Sequence, residues 1–412
     1  MKGPSSLGYP LAVRNEDSSG SVAVVGGCGH VGLPLGLALA DAGLDVVLYD
    51  INETAIDTVR AGKMPFFENG ADEVLARVLA SGRLTLSSAP QSVAAVEHVV
   101  VVVGTPVDQH LNPDPAAVVR AIELMVDHLR DGQHLILRST VYPGVTALVE
   151  RLLARHGKQI DVTFCPERIA EGKAMEELHT LPQIVSGRTE AATARAAGLF
   201  GNLTDTIITI GVEEAELAKL FTNTWRYIKF AAANQLYMMA TDYGLDYEVI
   251  RQAMIQDYPR AADVPAAGLA AGPCLLKDTM QLAAFNNNNF MLGHSAMMVN
   301  EGLPMYLVDQ IEKEHDLSGM TVGLLGMAFK GESDDIRSSL SYKLKRLLKI
   351  KAERVLCTDP YVTVDHDLAP LDQVLEQADL LVVGAPHLAY RQITPTVPAM
   401  DIWNVLGTGA RS

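Results

Sequence analysis

Cysteine is scarce in this chain and never paired at short range. Only Cys28, Cys165, Cys274 and Cys357 occur among 412 residues, and no two form a C-x-x-C motif. That argues against a disulfide framework and against a zinc site, and points to a reducing, cytoplasmic setting. Basic charge is short as well: 33 Lys and Arg stand against 49 Asp and Glu, a formal net charge of -16. Nucleic acid and anionic membranes both call for a basic surface, so neither is expected as a partner. An anionic small substrate stays open, because a few local cations and backbone N–H groups can hold a diphosphate. No apolar run is long enough to span a bilayer. The first twenty residues lack the apolar core of a signal peptide, so 1–20 reads as a flexible polar tail.

What is present is an ordinary globular balance, 48% hydrophobic and 20% charged residues. The chain is too long for one small core, so two or three domains are expected. From Ser21 to about Ala170, strand and helix patterns alternate. Val22–Val25, Val46–Asp50, Val99–Val103, His134–Leu137 and Val162–Phe164 read as buried strands, with a helix from about His30 to Ala42. That alternation implies a parallel sheet with helices on both faces. From about Val212 to Tyr243 the pattern is one long helix without Pro or Gly. Further helix is expected at about 246–255 and 278–315, with Asn286–Asn289 as a polar interruption. A second strand–helix unit follows, with strands at Thr321–Leu325, Arg354–Cys357 and Leu380–Val383 and a helix over Ile336–Ile350. The expected fold class is α/β, two Rossmann-like doubly wound domains joined by a long central helix.

Two motifs bear chemistry. Gly27-Cys28-Gly29-His30-Val31-Gly32 follows a strand and opens a helix, as a dinucleotide-binding loop does. Gly27 is expected to make the tight turn, Gly29 to let the backbone approach a pyrophosphate, and Gly32 to let helix and strand pack closely. Asp50 ends the next strand about 18 residues beyond Gly32, near the roughly 20 expected. There it would accept hydrogen bonds from a ribose and repel a 2′-phosphate, which favours NAD over NADP. The second motif is Gly272-Pro273-Cys274-Leu275-Leu276-Lys277-Asp278. A lone cysteine is often merely buried, but here a turn precedes it, and a cation and a helix start lie within one turn, which favour thiolate. A dehydrogenase with a thiol can carry an alcohol through the aldehyde to an acid while holding the intermediate covalently. Lys219 and Asn223 are four apart on the long helix and share one face. They fit either a solvated face or a pair of donors to an oxyanion.

From about Ser21 to Gly407 the chain resembles the nucleotide-sugar 6-dehydrogenases of the UDP-glucose/GDP-mannose dehydrogenase family. The landmarks come in the family's order. They are the glycine loop, Gly104-Thr105-Pro106, Ser139-Thr140-Val141 with Pro143-Gly144, and Cys165-Pro166-Glu167-Arg168 with Glu171-Gly172. Glu216-Leu217-Ala218-Lys219 with Asn223 and the Cys274 segment follow. Gly326-Met327-Ala328-Phe329-Lys330, Asp335-Ile336-Arg337-Ser338-Ser339 and Asp359-Pro360-Tyr361 complete the set.

The resemblance implies roles. Cys274 matches the nucleophile, and Lys219, Asn223 and Asp278 match groups around the reacting carbon and the water. Glu167 matches a glutamate of the acid–base chemistry, Thr140 a threonine that places a water, and Glu171 a residue near the nicotinamide. Thr105 and Ser139 fall on cofactor loops with Gly27, Gly29, His30, Val31, Gly32 and Asp50. Arg337 matches a cofactor contact from the C-terminal unit. Arg168, Arg260, Gly272, Lys219 and Lys330 fall on the substrate side. No metal is implied. The implied plan is an NAD-binding domain at 21–205, a helical dimerisation and cysteine region at 206–316, and a UDP-sugar-binding domain at 317–412, working as a homodimer.

Three departures touch the substrate side. Ala271-Gly272-Pro273-Cys274 replaces the Gly-Gly-Ser-Cys of many UDP-glucose enzymes. Arg168 follows Pro166-Glu167 where those enzymes have phenylalanine, and Trp403 stands where they place a sugar-contacting arginine. All three look more like the branch acting on N-acetylated sugars such as UDP-N-acetylmannosamine. The expected activity is therefore four-electron oxidation of the C6 alcohol of a UDP-sugar, an N-acetylhexosamine or glucose, to the uronic acid. A two-electron 3-hydroxyacid-type dehydrogenase and a non-catalytic sugar-nucleotide sensor are the alternatives. The first needs neither Cys274 nor a second α/β unit, and the second would be free to lose Cys274, Lys219, Asn223 and Asp278.

Overall fold

A computed structural model describes residues 20–108 and 110–407, so nearly all of the expected tail lies outside the described residues. The chain divides into two compact units. One comprises residues up to Pro106 and Asp114–Lys219; the other comprises the segment 107–113 and everything from Leu220 onward.

The first unit is a doubly wound α/β domain. In chain order it holds β1 (Ser21–Val25), α1 (Gly32–Asp41), β2 (Asp45–Tyr49), α2 (Glu53–Arg60), α3 (Ala71–Ser81), β3 (Leu84–Ser87), β4 (His98–Val101) and α4 (Ala116–Glu123). Then come β5 (His134–Leu137), α5 (Val145–Arg155), β6 (Asp161–Phe164), α6 (Ala174–Thr180), β7 (Gln183–Gly187), α7 (Glu190–Phe200) and β8 (Ile207–Thr209). The sheet order is β3-β2-β1-β4-β5-β6-β7-β8. Winding reverses between β1 and β4, the place where such sheets bind ligands at their C-terminal ends.

Both faces of the sheet are covered. Val22 and Val24 join one apolar cluster, with Leu33, Leu37 and Phe200, while Ala23 and Val25 join the other, with Val118, Ile122 and Val149. A strand buried on both sides must be apolar at every position, which is why these strands read as unbroken runs of valine. Each fully buried valine contributes roughly 1.5–3 kcal/mol. One pairing departs from the expected parallel sheet: β7 lies antiparallel to β6, fastened where Ser186 Oγ donates to the Phe164 carbonyl at 2.7 Å.

The helix α8 (Val212–Asp242) runs 31 residues without interruption, starting in the first unit and continuing into the second. Its N-terminal end is pinned by Glu216, 1% exposed. The Glu216 carboxylate accepts the Gly144 N–H at 2.6 Å, the Thr146 N–H at 2.9 Å and the Thr146 hydroxyl at 2.6 Å. Those N–H groups open α5, which has no capping side chain of its own, so α8 supplies the cap.

The second unit adds α9 (Tyr247–Ile255), α10 (Leu275–Phe285), α11 (Met291–Glu314), β9 (Thr321–Leu325), α12 (Leu340–Lys351), β10 (Arg354–Thr358), α13 (Leu371–Gln377), β11 (Leu380–Val383) and β12 (Ala399–Met400). Its four strands are parallel in the order β10-β9-β11-β12. Asn234 of α8 and Asn300 of α11 meet at 2.9 Å in the core. The expected break at Asn286–Asn289 has a backbone cause: Asn287 and Asn288 take left-handed φ of 51° and 58°, which asparagine tolerates better than most residues. The helix expected from Ile336 starts four residues later. Arg337 N–H bonds to Asp335 Oδ1 at 2.8 Å, Ser338 turns left-handed at φ 54°, and Ser339 caps α12.

The capping role of Glu216 has a measurable cost. Glu216→Ala leaves buried N–H groups without an acceptor and is expected to destabilise the protein by about 2–3 kcal/mol. Urea denaturation followed by circular dichroism should show a lower midpoint; an unchanged midpoint would remove Glu216 from the fold's supports.

Candidate active site

The glycine loop turns one residue earlier than expected. Gly26, not Gly27, holds the left-handed φ of 79°. Gly27 is glycine for packing: a Cβ there would lie 2.7 Å from the Val24 carbonyl oxygen and 2.9 Å from Leu48. A Cβ on Gly32 would sit 2.1 Å from the Gly26 carbonyl oxygen, whereas one on Gly29 would meet nothing closer than 3.6 Å. Gly29 therefore keeps an open approach to the backbone. Val31 is the N-cap of α1, with no side-chain cap and no acidic residue in the first turn. That suits an anion. His30 stacks on Phe66 with ring centroids 4.1 Å apart. Asp50 Oδ2 accepts the Cys28 N–H and its Oδ1 the Asn52 N–H, both at 2.9 Å. This aims the carboxylate at the loop. The open face at Gly29, the uncapped helix start and the aimed carboxylate fit a dinucleotide.

The loops after β4 and β5 are stitched together beside it. Ser139 Oγ accepts the Val103 N–H and donates to the Val103 carbonyl, each at 2.8 Å. Thr105 Oγ1 donates to the Thr140 carbonyl at 2.7 Å. Arg138, just before them, is 1% exposed and was not singled out from sequence. It donates from Nε to Glu167 Oε2 at 2.9 Å, from Nη2 to Gln183 Oε1 at 2.9 Å and from Nη1 to the Cys165 carbonyl at 3.1 Å. Glu167 Oε1 accepts the N–H groups of Arg168 and Ile169 at 2.7 and 3.0 Å. Both its oxygens are thus engaged in holding the turn. Arg168 also donates from its guanidinium to the Pro182 carbonyl. Glu68 fixes the next loop, accepting Gly172 N–H at 2.8 Å and Ala174 N–H at 2.7 Å, and Glu171, half-buried, directly precedes Gly172.

In the second unit Cys274 is exposed at the N-cap of α10. Asp278, fully buried, meets Asn223 Nδ2 at 2.5 Å through Oδ2 and Lys277 Nζ at 2.9 Å through Oδ1. Lys219 lies one turn before Asn223 on α8 and is half-buried. Gly272 turns with φ 103°, and a Cβ there would lie 2.6 Å from the Phe329 ring. Lys330 Nζ sits 5.6 Å from that ring's centroid. Arg337 pairs with the buried Asp335, Nη2 to Oδ2 at 2.6 Å. Arg260 is exposed and bonds the Tyr258 hydroxyl at 2.8 Å.

Three domain descriptions of one family match in order: the NAD binding domain of the UDP-glucose/GDP-mannose dehydrogenase family over 21–204, its central domain over 213–302 and its UDP binding domain over 323–408. The chain belongs to that family. It is an NAD-dependent nucleotide-sugar dehydrogenase. The UDP-N-acetyl-D-mannosamine dehydrogenase of Pyrococcus horikoshii is 30% identical over 398 residues, covering 93% of this chain and 92% of that one. Among solved structures, a UDP-glucose dehydrogenase from Pyrobaculum islandicum aligns with a TM-score of 0.86 at 27% identity, over 93% and 94% of the two chains. The UDP-N-acetyl-mannosamine dehydrogenase from S. aureus aligns at 0.82 and 27% identity, over 93% and 95%.

The four thiols differ sharply. Burial, then the charge of Asp50, pushes Cys28 up to about 12; burial pushes Cys165 and Cys357 up to about 11. Iodoacetamide on the native protein is therefore expected to modify Cys274 at least about tenfold faster than the other three. Peptide mass spectrometry before and after denaturation reads this out; equal labelling would contradict the burial of Cys28, Cys165 and Cys357.

Proposed function

We propose that the chain oxidises the C6 alcohol of UDP-N-acetylmannosamine, or a closely related UDP-N-acetylhexosamine, to the UDP-uronic acid with two NAD. The observation that carries this is the exposed Cys274 on a helix start, beside the Asn223–Asp278–Lys277 cluster. The N-acetylated sugar is supported by the name of the Pyrococcus relative and by Pro273, Arg168 and Trp403. In this reading 21–205 holds NAD, 206–316 supplies the cysteine and the subunit contact, and 317–412 holds the UDP-sugar.

Bound NAD would take up the two hydrides that leave C6. Gly29, the start of α1 and Asp50 would hold its diphosphate and ribose, with Thr105, Ser139 and Glu171 beside them. After the first oxidation, Cys274 sulfur adds to the aldehyde carbon and the carbonyl oxygen becomes an oxyanion. Lys219 and Asn223 donate to it. The second oxidation leaves a thioester, water adds to its carbonyl carbon, the C–S bond breaks and the thiolate returns. Asp278 orients Asn223 and Lys277 and offers an acceptor for a water proton. Glu167, with both oxygens bonded, acts through position: it sets the turn at Arg168 in place of moving protons, and Thr140 helps place the water. Gly272, Lys330, Arg168 and Arg260 serve the sugar nucleotide.

The decisive assay is NADH released per sugar consumed with UDP-N-acetylmannosamine, UDP-N-acetylglucosamine and UDP-glucose. About two NADH with the first is expected from the thioester route. One NADH per sugar would reject it. Cys274→Ser is expected to keep NAD affinity and lose acid formation by more than about 1,000-fold.

We also propose a dimer built on the central helices. Phe221, Trp225, Leu236 and Met239 of α8 are 53%, 58%, 40% and 55% exposed, and Met298 and Met305 of α11 are 70% and 54% exposed. So much apolar surface on neighbouring helices fits a second copy. Light scattering should give twice the 44.3 kDa chain mass; a monomer at micromolar concentration would overturn the assignment.

A further inference from the structure

The C-terminal unit repeats the turn of the glycine loop with different residues. Gly26 after β1 has φ 79° and donates to the Tyr49 carbonyl at 2.9 Å; Gly326 after β9 has φ 92° and donates to the Thr358 carbonyl at 2.8 Å. Asp50 after β2 accepts one loop N–H on Oδ2 and the N–H two residues on at Oδ1. Asp359 after β10 does the same: Oδ2 takes Met327 N–H at 2.7 Å and Ala328 N–H at 3.0 Å, and Oδ1 takes Tyr361 N–H at 2.9 Å.

One addition sets the second copy apart. His387, 0% exposed, lies with Nε2 at 3.0 Å from Asp359 Oδ2. The Glu332 N–H donates to His387 Nδ1 at 3.1 Å. A nitrogen that accepts cannot also carry the proton, so Nε2 bears it and donates to Asp359. Glu332, strained at φ 52°, is held further by the Tyr361 hydroxyl at 2.6 Å and the Leu388 N–H at 2.8 Å. The histidine thus ties both ends of the 326–332 loop to the sheet. That loop bears Lys330, and its Phe329 ring lies against Gly272, two residues before Cys274.

We propose that His387 is a positioning residue that fixes the 326–332 loop for the diphosphate of the sugar nucleotide and, through Phe329 on Gly272, sets the Cys274 segment. Asp50 and Asp359 both accept main-chain N–H groups, but Asp359 Oδ2 also takes His387 Nε2, which leaves it less free than Asp50 to accept from a ribose. The loop is therefore shaped for a nucleoside diphosphate carried by backbone and Lys330. The proposal rests on the reading that this unit holds the UDP-sugar.

The test uses the full-length protein, with UDP and NAD as separate calorimetric probes. Wild type is expected to bind both. His387→Ala is expected to weaken UDP about tenfold, the loss of a buried hydrogen-bonding centre, with NAD affinity unchanged. His387→Gln can still donate toward Asp359 and should recover part of the UDP affinity. With sugar nucleotide, KM should rise more than kcat falls. UDP affinity within twofold of wild type in folded His387→Ala overturns the proposal, and so does a parallel loss of UDP and NAD affinity, the mark of general destabilisation. If His387→Ala does not fold, Phe329→Leu serves. UDP is expected to change the rate of Cys274 alkylation in wild type and to lose that influence in Phe329→Leu; an alkylation rate indifferent to UDP in wild type overturns the link. Wild type that binds no UDP overturns the functional reading itself and this proposal with it, while wild-type binding with an indifferent variant overturns the proposal alone.

Discussion

A carboxylate accepting main-chain N–H groups is the interaction on which the rest of this structure depends. It recurs at five places, most of them loops where chemistry is expected. Asp50 sets the glycine turn, Glu68 and Glu167 set the segments around Arg168 and Glu171, Glu216 caps α5 from α8, and Asp359 sets the turn after β9. Such bonds are charge-assisted and stronger than neutral ones, and they constrain backbone rather than side chains. A parallel sheet leaves its loops at the C-terminal ends of its strands, where nothing regular holds them. The carboxylates do that work, so loops that must meet a mobile ligand are themselves well defined.

What could be read from sequence followed the range of the interaction. The valine runs of β1 and β4, the glycine loop with Asp50, the long α8 and the Cys274 turn are all local patterns, and local patterns are visible along the chain. The short strands β3 and β8 carry no pattern of their own, since Leu84–Ser87 and Ile207–Thr209 owe their pairing to neighbours rather than to length. The anchors were harder still. Glu68 bonds Gly172 across 104 positions and Glu216 bonds Gly144 across 72. Nothing at Glu68 itself marks it, and Glu216 stood out only through its place in a family motif. Arg138 had a weak signal, its position directly before Ser139-Thr140, but a guanidinium in an apolar strand end gains meaning only once Glu167 and Gln183 are beside it.

The second α/β unit shows the same limit from another side. Its sequence lacks a full glycine fingerprint, and so it offered no nucleotide signature of its own. In three dimensions a single glycine, Gly326, and a single acid, Asp359, reproduce the turn that the first unit builds with Gly26 and Asp50. The geometry is conserved within one molecule while the motif is not, because backbone hydrogen bonds ask only for one left-handed residue and one acceptor.

The three glycines of the loop differ in who enforces them. At Gly27 and Gly32 the protein's own backbone forbids a side chain, whereas a Cβ on Gly29 would make only an ordinary contact with the Gly26 carbonyl oxygen at 3.6 Å. Drift at the first two is punished during folding, in any cell and at any cofactor level. Drift at Gly29 is punished only by the ligand. A lineage that abandoned dinucleotide chemistry would therefore keep Gly27 and Gly32 and lose Gly29 first, leaving a well-folded scaffold whose history could be dated by that one position.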